Sequence, residues 1–321
     1  MNQSNIKNTV TTVNYLSATG PVAVGMTNDY MFRIVFQENK YALKGLIASV
    51  LQLDPEAIAD IDISNEVKPG QSITDKEYRM DILVLMNNSQ NINLEMQLRN
   101  QGNWQHRSLA YLCREFDSLD HGDDYYNVKP TYQVGFLGFT LFEDHPEFCG
   151  RYQMRNKKDG YLYTDRFNLI VIELFQEELA TEEDIACGID KWVRLFKAKT
   201  WEDLKMVAQD NPYTTSTVES MYLSNTDRNI IKVAREREEF LRSQAYKDKK
   251  LETQAAEIKS LTSEIKTLSS ENETLSSENE TLSSENEALS SENKSLSSEN
   301  KSLTSEVDRL RKLLEDNGIT S

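Results

Sequence analysis

From Leu268 to Leu303 the chain repeats LSSENET with small changes, and leucine recurs at every seventh position from 261 to 310. A seven-residue apolar period kept over so many turns suits a helix that presents one narrow stripe to a partner helix. With Leu261, Leu268, Leu275, Leu282, Leu289, Leu296, Leu303 and Leu310 at d, the a positions are Ile258, Ile265, Asn272, Asn279, Asn286, Asn293, Asn300, Val307 and Leu314. Leu at d with Asn at a favours a parallel, in-register pair, because a seam amide finds its partner only opposite another Asn. Five Asn layers weaken such a coil, and Glu at each g position from 264 to 306 faces Ser or Thr at e, so the usual interchain ion pairs are missing. Salt should therefore strengthen it. Residues 251–316 are expected to form a parallel homodimeric coiled coil with a short tail at 317–321, and the stretch 251–314 would be about 95 Å long at about 1.5 Å per residue. A solvated single helix is the alternative that a Ser/Glu/Asn-rich composition leaves open.

The remaining length is ample for a core, since 38% of the 321 residues are hydrophobic and 9% aromatic. The net charge of −16 is shared equally by residues 1–250 and the tail, which argues against a polycationic coat for nucleic acid. It leaves room for a nuclease, whose metal-binding cleft is itself acidic. No apolar run is long enough to span a bilayer, and MNQSNIKNTVTTVNYL lacks a signal-peptide pattern, so a cytoplasmic protein without membrane contact is expected. Three cysteines, Cys113, Cys149 and Cys187, have no CxxC spacing and are expected to be reduced and buried. The three histidines, His106, His121 and His145, do not combine with them into a zinc-site spacing.

Residues 1–25 read as a loosely ordered leader, and the folded part is expected from Thr27, where Thr27, Asn28 and Asp29 precede an apolar helical pattern in two pieces. Strands are predicted at 61–67, 80–87 and 91–98, the last two joined as a hairpin through 87–90. Asn103 then caps a helix with Leu109, Leu112, Cys113, Phe116 and Leu119 as its buried stripe, and two interior strands follow at 131–142 and 166–175. These elements make a core over 26–178. A helical region and connector should occupy 179–250, with Ile185, Ile189, Trp192, Val193 and Phe196 on one side and eight Lys/Arg against five Asp/Glu from 227 to 250.

Two acids stand out within the strands. Asp81 lies between Met80 and Ile82, and Glu95 lies between Leu94 and Met96. A carboxylate in an apolar strand is expensive to bury without a cation or a donor. A hard divalent metal would supply the charge and could activate a water toward phosphate. Ion pairing of Asp81 with Lys76 or Arg79, and of Glu95 with Arg99 or Arg107, explains the same residues equally well from spacing alone.

The run RMDILVLMNNSQNINLEMQLRNQGNWQHRSLAYLCREF, the strand ending GFTLF, the upstream TNDYMFRIVF and the downstream IDKWVRLFKAKTWEDL together resemble the PD-(D/E)XK nuclease-family transposases, the Rpn-type recombination-promoting nucleases. The resemblance spans about residues 26–210. It implies an α/β, restriction-endonuclease-like core, here followed by the helical region and the coil. It also implies a DNA substrate and Mg²⁺ or Mn²⁺ held by Asp81, Glu95 and the carbonyl of Met96. Gln97 occupies the place where the wider superfamily carries a catalytic Lys, and an amide offers only neutral hydrogen bonds. Asp29 matches an acidic position of the family and is an auxiliary candidate, with helix capping as its plainer role. Arg107, Ser108 and Tyr111 are auxiliary candidates that would face the scissile phosphate, support Glu95 or simply pack. Trp104 would stack on a base or anchor its helix. The implied activity is a metal-dependent endodeoxyribonuclease, made bivalent by the coil; the alternative is a degenerate nuclease fold that binds DNA or protein.

Overall fold

The computed structural model describes residues 14–64, 82–117, 119, 122, 124–209 and 211–318. Two helices open the core, α1 (Asp29–Glu38) and α2 (Lys40–Leu51). Asn28 caps α1 by accepting from Met31 N at 3.1 Å, and Asn39 caps α2 by accepting from Ala42 N at 2.9 Å. Eight of the ten residues of α1 are buried, Arg33 and Gln37 among them, as expected of a helix enclosed by neighbours on all sides.

Strands β1 (Ile61–Ile63), β2 (Ile82–Met86), β3 (Gln90–Gln97), β4 (Thr131–Leu137), β5 (Cys149–Arg155) and β6 (Leu162–Glu173) form one sheet in the order β1-β2-β3-β4-β6-β5. β3, β4 and β6 are parallel; β2 is antiparallel to β3, β1 is antiparallel to β2, and β5 is antiparallel to β6. The β2–β3 hairpin turns through Asn87 and Asn88 at φ of 50° and 53°, a left-handed conformation that Asn tolerates. Asn87 also ties the hairpin down, accepting from the amides of Ala59 and Asp60 and donating to the carbonyl of Ala57. β5 was not foreseen. CGRYQMR lacks an apolar alternation because it is an edge strand whose outer half is exposed.

The sheet is covered on both faces. Ile82, Val84, Ile92, Leu94, Met96, Val134, Phe136, Ile170 and Ile172 point into the main core. There Phe32 of α1, Phe136 of β4 and Phe196 of α5 (Ile189–Lys197) meet with ring centroids 5.3 to 5.6 Å apart. The opposite face carries α3 (Trp104–Phe116), where Trp104, Leu137 and Val171 form a smaller cluster. The buried residues of α3 are Trp104, Ser108 and Leu112; the predicted Leu109 and Cys113 are exposed, because the helix turns its Trp104–Ser108–Leu112 line to the sheet. Gly135 makes that approach possible, since a Cβ on it would lie 2.1 Å from Trp104 Cζ2. Gly135→Ala is expected to destabilise the fold by about 1–3 kcal/mol, read as a lower urea midpoint at unchanged slope.

α4 (Glu182–Ala186), α5, α6 (Trp201–Ala208) and α7 (Pro212–Thr226) follow the sheet, and α8 (Arg228–Asp316) completes the chain. The stripe foreseen here holds for Ile189, Trp192, Val193 and Phe196, whereas Ile185 is 55% exposed. α5, α6, α7 and the first turns of α8 share the main core with α1 and the sheet; one compact unit ends at Arg242 and a second begins at Ser243. Residues 14–25, expected as a loose leader, are instead docked. Tyr15, Val24 and Met26 are buried, Pro21 bridges Thr200, and Val24 exchanges hydrogen bonds with Asn225.

The second unit is helical throughout to Asp316, and its leucine stripe is exposed, with Leu261, Leu282 and Leu303 at 50%, 55% and 56%. No helix among the described residues is long and apolar enough to cross a membrane.

Candidate active site

Alternation along β3 sends Ile92, Leu94 and Met96 to the main core and Asn93, Glu95 and Gln97 to the face beneath α3. The neighbouring parallel strand aligns Gln133 with Asn93, Gly135 with Glu95 and Leu137 with Gln97. Glu95 is 2% exposed. Three groups converge on or beside it. Arg107 of α3 forms an ion pair through Nη2 with Glu95 Oε1. Arg107 Nη1 also donates to Gln97 Oε1 at 3.2 Å. Gln133 Nε2 lies 3.4 Å from Glu95 Oε2 on the other side. Such pairing is what a buried carboxylate requires.

The amides around Glu95 have fixed directions. Gln133 Oε1 accepts from Asn93 Nδ2 at 2.7 Å, which leaves its NH₂ turned to Glu95. Gln97 Nε2 donates to the carbonyl of Arg99 at 2.8 Å, so its oxygen is presented to Arg107. Sequence reasoning missed Asn93 and Gln133. The usable signal was two amide residues at strand positions between apolar neighbours, Asn93 between Ile92 and Leu94 and Gln133 between Tyr132 and Val134.

Arg107 Cζ also lies 5.3 Å from the centroid of the Tyr111 ring, so Tyr111 flanks the guanidinium. Ser108 is fully buried, and its hydroxyl donates to Gln105 O at 3.3 Å within its own helix. Trp104 packs on Gly135, the register partner of Glu95, as an anchor of α3. Met96 turns its side chain to the opposite core and leaves only its backbone to this face. Asp81, with its proposed partners Lys76 and Arg79, lies outside the described residues.

Asp29 does not cap α1; Asn28 does. Its carboxylate is instead held by Arg237 of α8, whose Nε and Nη2 both reach Oδ2, at 2.9 and 2.8 Å. Glu173 is a second buried acid on this sheet face, in register with Leu137 beside Gln97. Burial pushes its carboxyl above the ordinary value, and Leu141 N donates to Oε1 at 2.9 Å, which pins the loop after β4. Among the described residues, no group of three or more His, Cys, Asp or Glu is placed to hold a metal. The three cysteines are free thiols but are not fully buried as expected: Cys113 is exposed, and Cys149 and Cys187 are half-buried, Cys149 with its pKa pushed up to about 12 by burial.

The donors around Glu95 are hard oxygens of a carboxylate and an amide, already gathered about a positive charge. That chemistry fits a divalent cation of the Mg²⁺ type. A family model described as PD-(D/E)XK nuclease family transposase matches residues 26–256, beyond the 26–210 that the motifs suggest. No curated protein and no solved structure matches the chain.

Proposed function

The chain belongs to the PD-(D/E)XK nuclease family transposases, and from that membership we propose that it is a metal-dependent endonuclease hydrolysing DNA phosphodiester bonds. The observation that carries this reading is Glu95, a carboxylate 2% exposed on a central strand, with Gln97 two residues on. Ile82 pairs with Leu94, and the residues adjoining them are Asp81 and Glu95. Asp81, Glu95 and the carbonyl of Met96 would hold Mg²⁺ or Mn²⁺. Bound there, the cation would polarise the phosphoryl group and acidify a water.

The chain's own residues do the rest. Glu95 is held in one orientation from both sides, and Gln97 can direct a water through its amide but cannot remove a proton from it. Slow turnover follows from that substitution. Arg107 brings a guanidinium whose fork matches a phosphate.

Cleavage of supercoiled plasmid by the intact protein tests the reading. Mg²⁺ or Mn²⁺ should support nicking, EDTA should abolish it, and Asp81→Ala should remove it in a folded protein. No cleavage by the folded protein under any metal would turn the reading to a degenerate fold that binds DNA or protein, and cleavage that survives EDTA would overturn the metal dependence. The heptads would join two such domains at high effective concentration and allow paired cuts. Replacing Leu275 and Leu282 by Ser is expected to shift the protein from dimer to monomer in sedimentation at micromolar concentration; a wild-type monomer there would remove the dimer from the proposal.

A further inference from the structure

Arg107 touches two oxygens of the site at once, Glu95 Oε1 and Gln97 Oε1. Its side chain is 27% exposed and that of Glu95 only 3%, so the guanidinium reaches from a partly open position onto a closed one. A second cation drawn to Glu95 competes with Arg107 for the same oxygens, and two positive charges a few ångströms apart repel strongly where water is scarce. A guanidinium has another natural partner. Its planar fork pairs with the oxygens of a phosphodiester at least as well as with a carboxylate. Tyr111, with its ring centroid 5.3 Å from Arg107 Cζ, offers a face against which the guanidinium can swing without losing all contact.

We propose that Arg107 is a substrate-released latch: in the free protein it occupies the oxygens of Glu95 and Gln97, and an arriving phosphodiester draws it off so that the metal can bind. This rests on the nuclease reading of the same site. Metal and nucleic-acid phosphate then bind cooperatively, and linkage makes the effect reciprocal. The device keeps the charge of a buried carboxylate balanced at every stage, first by Arg107 and then by the cation. It also confines metal loading to the moment when a substrate phosphate is present.

Mn²⁺ binding to the full-length protein, followed by electron paramagnetic resonance of the free ion, tests this without reading activity. Wild type, Arg107→Gln, Arg107→Lys and Glu95→Gln would be titrated with and without a phosphorothioate duplex that resists cutting, and the duplex alone would serve as blank. Without duplex, Arg107→Gln is expected to bind Mn²⁺ about tenfold tighter than wild type, a size ordinary for coupled sites. Duplex should tighten wild type by about the same factor and Arg107→Gln by much less. Arg107→Lys keeps a positive charge but cannot fork onto both oxygens, so it guards against a folding defect and is expected to lie between. Equal or weaker Mn²⁺ binding by both Arg107 variants overturns the latch, and so does a duplex that tightens every protein alike. If wild type with duplex holds no more Mn²⁺ than Glu95→Gln with duplex, and Arg107→Gln without duplex holds no more either, the metal reading itself has failed, and the latch with it.

Discussion

Glu95→Gln is expected to lower metal-dependent plasmid cleavage by about a thousandfold. A metal's hold on the reacting phosphoryl group is worth several kcal/mol, and each 1.4 kcal/mol is tenfold in rate. The substitution keeps the shape of the side chain, so the loss isolates its charge. It also leaves Arg107 without its carboxylate. Because Arg107 is 27% exposed it can turn to water, and the stability change should stay below the 3–5 kcal/mol typical of breaking a fully buried pair. Thermal unfolding beside the cleavage assay separates the two effects. Retention of more than a tenth of the activity in a folded Glu95→Gln protein would move the chemistry away from β3.

Arg237→Ala should act on stability instead, by about 3 kcal/mol. Asp29 and Arg237 are 12% and 9% exposed, so removing the guanidinium strands a carboxylate in a nearly closed site. Asp29 retains some support from its place in the first turn of α1 and from Tyr30 N, which donates to Oδ1 at 2.9 Å. The double change Asp29→Asn with Arg237→Leu should recover part of the loss, since an apolar or neutral replacement of a buried pair is better tolerated than half of it. Urea denaturation measures both. A change below about 1 kcal/mol would mean that the pair is solvated in practice.

The strand alternation around Glu95 and Gln97 was legible because period two is a local property of the chain. So was the pairing of Glu95 with Arg107, which the spacing offered as one of two readings of the acid and which the structure contains. The metal-ligand reading stays a proposal beside it, and Asp81, half of the pair that drew attention, lies outside the described residues. Other features needed tertiary information. α3 turns Leu109 and Cys113 to water, and its true inner line runs from Trp104 through Ser108, a residue that hydropathy places outside, to Leu112. Asn93 and Gln133 look like solvent-facing strand residues until β4 is laid parallel to β3. Asp29 finds Arg237 across 208 residues, a distance at which sequence pattern carries no signal. The strand β5 was invisible because one neighbour is enough to hold it, which frees its outer side chains from any apolar rule.

The first turns of α8 do more than lengthen the protein. Ile230, Val233 and Ala234 complete the main core, Asn28 donates to the carbonyl of Ala234, and Arg237 closes on Asp29. During synthesis, α1 therefore waits with an apolar flank and an uncompensated acid until nearly the whole of residues 28–237 has left the ribosome. The heptads lie downstream of that point and emerge later. Subunit pairing through them would then join heads that have already been able to fold, which spares the slow, non-local core from assembling while two chains are tethered side by side.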